Sequence, residues 1–149
     1  MAVLFPAGQP SYLRNMRSIK WLAILTAALI ITSCFFTWVS IEGTEFMIGG
    51  FYSKGTNQFG RPGLLHVIFC SLYIALLLVG KIWSIRTAFF VAALNSAWAL
   101  RNFFLISSCS GGECPEKHTG LYVILVGSVL LLVFSPFINV PVQSVNRPE

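Results

Sequence analysis

Residues 63–79 read GLLHVIFCSLYIALLLV and contain no Asp, Glu, Lys or Arg. A helix rises about 1.5 Å per residue, so a run of this length covers most of a hydrocarbon core about 30 Å thick. Uncharged apolar runs of this length are typical of membrane-spanning helices, and the one basic side chain in this run is His66. The stretch therefore predicts a transmembrane segment that carries a polar group inside it.

Three further stretches have the same character, at about residues 21–39, 87–106 and 121–137. In the first of them we expect the helix to continue through Phe35, Phe36 and Trp38. The segments between the four stretches are too short to fold alone. The sequence therefore predicts an all-α fold, an integral membrane antiparallel four-helix bundle, with residues 1–149 as a single transmembrane domain.

The composition argues against a soluble domain and against the common classes of soluble enzyme. Of the residues, 56% are hydrophobic and 10% are charged, whereas soluble domains carry about 25% charged residues. All acidic residues are Glu, and no phosphate-binding, dinucleotide-binding, zinc-protease or serine-hydrolase motif is present. We therefore expect no catalytic residue, no cofactor and no metal site, and a protein that is not an enzyme.

Lysine and arginine near the span ends predict the orientation. Six of them adjoin one side of the four spans: Arg14, Arg17, Lys20, Lys81, Arg86 and Arg147. Only Lys54, Arg61 and Lys117 flank the other side, where glutamates offset them. Both termini should be cytoplasmic, with loops 40–62 and 107–120 outside a bacterial cytoplasmic (inner) membrane. The net charge of +5 is spread too thinly to indicate a nucleic-acid partner.

The run Ile31-Thr32-Ser33-Cys34 offers a rival interpretation of the N-terminus. It follows a basic stretch and an apolar run, and is similar to a bacterial lipoprotein signal. Cleavage there would leave Cys34 as a lipid-bearing N-terminus and only three spans. We favour an uncleaved chain because an apolar run follows Cys34, where a lipoprotein has a polar tether. The lipidation of Cys34 remains an alternative.

The four cysteines fall into two pairs. Cys109 and Cys114 lie in the second outer loop with two glycines between them, which allows a tight reversal on an oxidising side of the membrane. We expect a structural disulfide, with a redox-active pair as the alternative. A membrane thiol oxidoreductase needs a second pair in the other outer loop, and residues 40–62 contain no cysteine. Cys34 and Cys70 fit a packing role inside the membrane.

Polar residues inside the predicted spans form the candidate site, because ionisable groups are costly in a bilayer. An outward-facing polar pocket is predicted from six side chains: His66, Asn95, Arg101, Asn102, Glu42 and Glu45. In the sharper hypothesis Arg101 and His66 bind the headgroup of a lipid or a quinone. In the plainer one, Arg101 extends to the headgroups or pairs with a loop glutamate, and His66 bonds a neighbouring helix.

Three motifs carry a resemblance: Trp38-Val39-Ser40-Ile41-Glu42-Gly43; Gly60-Arg61-Pro62-Gly63; and Trp98-Ala99-Leu100-Arg101-Asn102-Phe103-Phe104 followed by Cys109 and Gly112-Glu113-Cys114-Pro115-Glu116-Lys117. Over about residues 20–137 the chain resembles a family of small four-helix bacterial inner-membrane proteins of unknown function. The resemblance implies the four-helix fold. It transfers no activity.

The leading functional hypothesis is a non-catalytic small subunit or scaffold of a larger inner-membrane complex. Its expected partners are the lipid bilayer and other membrane-protein subunits. A lipid-, quinone- or small-solute-binding membrane protein that uses the outer polar pocket is the first alternative. A membrane thiol oxidoreductase that uses Cys109 and Cys114 is the second.

Overall fold

The computed structural model describes residues 10–41, 45–54, 60–109 and 114–138, with the backbone alone for 10–17. Most of this part is helical, in α1 (Pro10–Ser33), α2 (Pro62–Val79), α3 (Ile82–Ser107) and α4 (Thr119–Phe134), and the 3₁₀ turn Ser135–Phe137 follows α4. Each helix packs on the next one in chain order, and α4 packs back on α1. The four helices therefore form a closed ring.

Three helices in the described residues are long and apolar enough to cross a membrane. They are Pro62–Val79, Ile82–Ser107 and Thr119–Phe137. The apolar part of α1 is shorter, at Ser18–Ser33, which corresponds to about 24 Å of helix. The prediction of a mostly helical chain is confirmed, and three of the four predicted spans correspond to helices that are long and apolar enough to cross a membrane.

The end of the first helix was predicted wrongly. α1 ends at Ser33 instead of continuing through Trp38, and residues 37–40 form a strand. The reason is local, because Trp38 turns inward and its indole Nε1 donates to the carbonyl oxygen of Ser33, at 3.2 Å. That bond satisfies one of the carbonyls that the last turn of a helix leaves free. The apolar run thus continues past the end of α1 into this strand.

A small antiparallel sheet caps the ring, and the all-α prediction did not include it. Its strands are β1 (Thr37–Ser40), β2 (Met47–Gly49), β3 (Ser53–Lys54) and β4 (Glu116–Lys117). Their order is β3-β2-β1-β4, so the two predicted outer loops meet in one sheet. β1 is rich in the β-branched and aromatic residues that favour strands. Pairing of β1 with β4 ties both connections to the same end of the bundle.

Gly50 joins this sheet to the helices. A Cβ at Gly50 would overlap the backbone of Cys34, and a Cβ at Gly63 would come within 2.7 Å of the Gly50 backbone. The Gly63 amide donates to the Gly50 carbonyl at 2.7 Å. The end of α1, the β2–β3 turn and the start of α2 therefore meet backbone to backbone, which only glycine permits.

At the opposite end, α2 and α3 are joined more tightly than predicted. α3 begins at Ile82, five residues before the predicted start of the span at residue 87, so only Gly80 and Lys81 separate the helices. Gly80 ends α2 with a positive φ of 65°, the left-handed conformation common at helix C-termini. The Ser84 hydroxyl donates to the Leu76 carbonyl and completes the turn.

The α1–α4 contact is closest at Gly127 of α4, which faces Ile30 and Thr26 of α1, and we call these three residues the close-packed seam. Ile30 is fully buried. A Cβ at Gly127 would lie 2.9 Å from Cγ1 of Ile30, so the helices approach as closely as a glycine allows. Small residues that permit close approach are the usual basis of helix association in membranes.

Candidate functional site

A hydrogen-bonded chain of buried side chains crosses the ring from α2 to α4, and we call it the polar seam: His66, Asn95, Ser96 and Ser128. His66 Nδ1 donates to Oδ1 of Asn95 at 2.7 Å, and Nδ2 of Asn95 donates to Oγ of Ser128 at 2.9 Å. Ser96 Oγ lies 2.7 Å from the Ser128 carbonyl. All four side chains are buried. The seam therefore connects three helices through neutral groups.

Trp38 closes the polar seam from above. It is the largest of the fully buried side chains. Its ring meets the imidazole of His66 edge to face, with centroids 6.2 Å apart and an interplanar angle of 72°. Because β1 carries Trp38 down into the ring, the sheet covers the only imidazole that the described helices bury.

Two buried polar atoms in the described part of the chain have no hydrogen-bond partner, Nε2 of His66 and Nδ2 of Asn102. With Nδ1 of His66 donating to Asn95, its Nε2 is an acceptor, whereas Nδ2 of Asn102 is a donor. Leaving such an atom unpaired costs about 1–3 kcal/mol. Asn102 lies seven residues from Asn95 on α3, so about 10 Å separates the two positions along the helix. The structure therefore does not join Asn102 to the polar seam.

Arg101 lies apart from the polar seam. It is exposed, and its guanidinium carbon stacks 4.8 Å from the centroid of the Trp98 ring. Trp98 in turn donates its indole N–H to the Pro62 carbonyl at 3.0 Å, at the start of α2. The predicted pairing of Arg101 with His66 in one pocket is not seen, because Arg101 is exposed on the outside of the helices whereas His66 is buried between them.

Glu42 and Glu45 belong to the sequence between α1 and α2. Glu45 is exposed just before β2. Glu42 lies outside the described residues. Among the five predicted pocket residues that the structure describes, His66 and Asn95 are brought together, Asn102 is buried elsewhere on α3, and Arg101 and Glu45 are exposed.

The cysteines separate into one bonded pair and two buried thiols. The sulfur atoms of Cys109 and Cys114 are 2.07 Å apart, which confirms the predicted disulfide pair. Cys34 and Cys70 are free and buried. Cys34 directly follows the last residue of α1.

Sequence reasoning missed Ser96 and Ser128 as partners of His66. The signal was weak, since serines occur in many apolar helices and satisfy themselves on the preceding turn. Ser96 does so partly, at 2.9 Å from the Ala92 carbonyl. Within the residues that the structure describes, no group of three or more His, Cys, Asp or Glu side chains is placed to hold a metal ion.

Comparison with known proteins adds no relative to this description. No protein-family model, no curated protein and no solved structure matches the chain.

Proposed function

We propose that this chain is a non-catalytic four-span protein of the bacterial cytoplasmic membrane that serves as a small subunit or scaffold of a larger inner-membrane complex. In this proposal α1 to α4 cross the bilayer as an antiparallel bundle. The sheet and the Cys109–Cys114 pair lie on the outer side, and both termini are cytoplasmic.

The outward faces of the helices support a membrane location. Large apolar side chains stand exposed on every helix, and one example from each is Leu25 (64%), Leu78 (64%), Phe104 (68%) and Val126 (56%). A monomeric soluble protein rarely exposes apolar patches of more than a few hundred Å². Lipid tails or the helices of another subunit would cover such a belt.

Charge placement supports the proposed orientation. Lys81 and Arg86 lie at the end of the ring where α2 passes into α3. Lys20, near the start of the apolar part of α1, belongs to the same end because α1 and α2 run in opposite directions. An excess of basic residues on one side marks the cytoplasmic side.

The observation that carries the scaffold proposal is the contrast between the interior and the outside. His66, Asn95, Ser96 and Ser128 bond mainly to one another, so their polarity fixes the positions of three helices. Most of the large side chains that the helices present outward are apolar, although Arg101 on α3 is also exposed. In such a protein the buried polar groups bond to one another and fix how its own helices align. Its apolar outer faces are then suited to assembly with other membrane helices.

The thiol oxidoreductase alternative has no specific observation in its favour. Cys109 and Cys114 are exposed, but the other two thiols are buried. An electron relay needs a second pair that can reach the first by thiol–disulfide exchange.

The test is a tagged chain expressed at its native level, extracted in mild detergent and examined by native electrophoresis with mass spectrometry. We expect a stoichiometric complex that contains a larger membrane protein. Four single variants then locate the contact: Leu25→Ala, Leu78→Ala, Phe104→Ala and Val126→Ala. Each variant changes one outward residue of one helix, so each serves as the control for the others.

If the scaffold proposal is right, one or two of these variants release the partner and the rest retain it. Recovery of the wild-type chain as a monomer or a small homo-oligomer at native expression would contradict the scaffold proposal.

A further inference from the structure

A cleft of about 690 Å³ opens where α1 ends and α4 begins. Its volume lies within the range of about 300–1,000 Å³ that is usual for small-molecule sites. Polar lining is provided by side chains at the ends of the two helices and on β1: Thr32, Ser33, Thr37, Ser40, His118 and Thr119. None of these residues belongs to the predicted polar pocket or to the polar seam.

The polar lining is neutral and rich in hydroxyl groups. None of the described residues that line the cleft is Lys, Arg or Glu, so this part of the lining does not favour a phosphate or a carboxylate. Ser40 Oγ and Nε2 of His118 lie 2.7 Å apart, which holds the imidazole at the rim. The Thr119 hydroxyl makes no hydrogen bond within the described residues and can donate or accept. This chemistry suits a head that has hydroxyls and ester oxygens.

The remaining lining is apolar and faces the side of the bundle. Leu29 and Phe36 come from the α1 side, Met47 from β2 and Val123 from α4, and Leu29 and Phe36 are 54% and 64% exposed. Leu29 and Val123 lie one turn further into the apolar part of their helices than Ser33 and Thr119 do. Along the two helices the lining thus changes from polar, at Ser33 and Thr119, to apolar, at Leu29 and Val123, while Phe36 and Met47 add apolar surface at the level of the sheet.

We propose that this cleft binds a neutral glycerolipid. Its glycerol hydroxyls and ester oxygens meet the rim formed by Ser40, His118 and Thr119. One acyl chain lies against Leu29 and Val123 and continues down the outside of α1 and α4. The inference rests on the membrane location in the proposed function and does not require a partner subunit.

An anionic lipid would use a different surface. Arg101, stacked on Trp98, lies on α3, whereas α1, α4 and the sheet line the cleft. A phosphate-bearing competitor therefore discriminates between the two surfaces.

The experiment uses the full chain in mild detergent with a monoacylglycerol that carries a diazirine in its acyl chain. After irradiation, peptide mass spectrometry locates the label. We expect labelling concentrated in residues 29–40 and 118–123, and its loss in the presence of excess monooleoylglycerol. Lysophosphatidylglycerol at the same concentration should compete at least about threefold less well, since no described lining residue is a cation that would bind its phosphate.

Two pairs of variants sharpen the result. Val123→Trp fills the cleft and should reduce labelling there about tenfold. Leu94→Trp, at a 57% exposed position on α3 away from the cleft, should leave the labelling unchanged. Leu29→Trp fills the cleft from the α1 side and serves if Val123→Trp does not fold. Combined Ser40→Ala and Thr119→Ala should weaken competition by monooleoylglycerol about three- to tenfold, as for the loss of a neutral hydrogen bond.

Three results would each overturn the inference. Labelling could spread over all apolar faces in proportion to exposure, it could persist in both cleft-filling variants, or lysophosphatidylglycerol could compete as well as monooleoylglycerol. The scaffold proposal fails separately, because a chain recovered without a partner can still be labelled in the cleft. A chain that carbonate washing removes from membranes would contradict both.

Discussion

The polar seam and the close-packed seam hold neighbouring parts of one ring by different means. In the polar seam, His66, Asn95 and Ser128 link α2, α3 and α4 through two hydrogen bonds of 2.7 and 2.9 Å. In the close-packed seam, the missing side chain of Gly127 lets α4 approach the apolar side chain of Ile30 on α1. The polar seam depends on the directions of its hydrogen bonds, and the close-packed seam depends on the complementary shapes of the two helix surfaces.

The difference shows two ways in which a chain of apolar helices can order the contacts between them. Close packing stabilises a contact but tolerates small rotations of each helix. Hydrogen bonds between buried side chains restrict rotation, since an unpaired polar atom inside hydrocarbon is costly. We therefore expect the polar seam to fix the register of α2, α3 and α4, and the close-packed seam to hold α1 against them.

The largest effect should come from Asn95→Leu. This change removes the acceptor of His66 Nδ1 and the donor to Ser128, so two buried polar groups lose their partner. The expected loss is about 3 kcal/mol of unfolding free energy. Unfolding in mixed micelles with dodecyl sulfate, followed by tryptophan fluorescence, measures it.

The control is a double-mutant cycle that compares His66→Leu, Asn95→Leu and the two changes combined. Replacing both partners by apolar groups should cost less than the sum of the single changes, because neither side is then left unpaired. Additive costs would mean that the two side chains do not depend on each other.

Removal of the disulfide should have the next largest effect. Combined Cys109→Ser and Cys114→Ser releases a loop closed across a separation of five residues, and the chain-entropy estimate for so short a loop is about 2 kcal/mol. Because the loop belongs to neither seam, the cost should add to that of Asn95→Leu. A loss of redox activity in cells that retain the folded variant would instead support the thiol oxidoreductase alternative.

Gly127→Ala tests the close-packed seam. The new methyl group would meet Cγ1 of Ile30 at 2.9 Å, at a flexible side chain and not at backbone. The expected cost is about 1 kcal/mol, at the lower end of overpacking. Adding Ile30→Val should leave that cost unrelieved, since the contacting branch remains, whereas Ile30→Ala should remove the clash itself. Equal coupling in both double variants would show that α4 shifts as a whole.

The smallest effect should come from Arg101→Gln, which lies outside both seams. It removes a cation stacked on the exposed side of Trp98, worth about 0.5–1 kcal/mol. Trp98→Phe should cost more, since it also removes the hydrogen bond to Pro62. If Arg101→Gln were as costly as Asn95→Leu, the guanidinium would have a buried role that the structure does not show.

The α2 helix could be read almost residue by residue, from residue 63 to 79 in prediction and Pro62 to Val79 in the structure. Continuous hydrophobicity and a glycine at the end leave few alternatives. The start of α3 was less predictable. Ile82, Trp83 and Ile85 are compatible with either a turn or a helix, and contact with α2 decides for the helix.

The sheet could not be predicted from its strands alone. β2, β3 and β4 have three, two and two residues, and their sequences alternate too little to give a pattern. Pairing of Val39 with Lys117 joins positions far apart in the chain. The packing of the helices brings those positions together, and only then do the backbone groups find partners.

For the candidate site, the sequence identified which residues are costly to bury but not where they point. His66 and Asn95 meet because α2 and α3 run antiparallel at matching heights. Arg101 follows Asn95 by six residues, which turns it away from the ring. A shift of a few residues in the alignment of α2 and α3 would bring different polar side chains together. No local feature of the sequence determines that alignment.

The sequence by itself determined that most of the chain is helical, that three helices are long and apolar enough to cross a membrane, and that Cys109 and Cys114 can pair. These features depend on neighbours along the chain, through helical periodicity, length and loop closure. Only the tertiary structure decided where α1 ends, that the two outer connections share a sheet, and that His66 bonds Asn95 beneath Trp38. Those features depend on groups that are distant in sequence and meet only when the four helices pack.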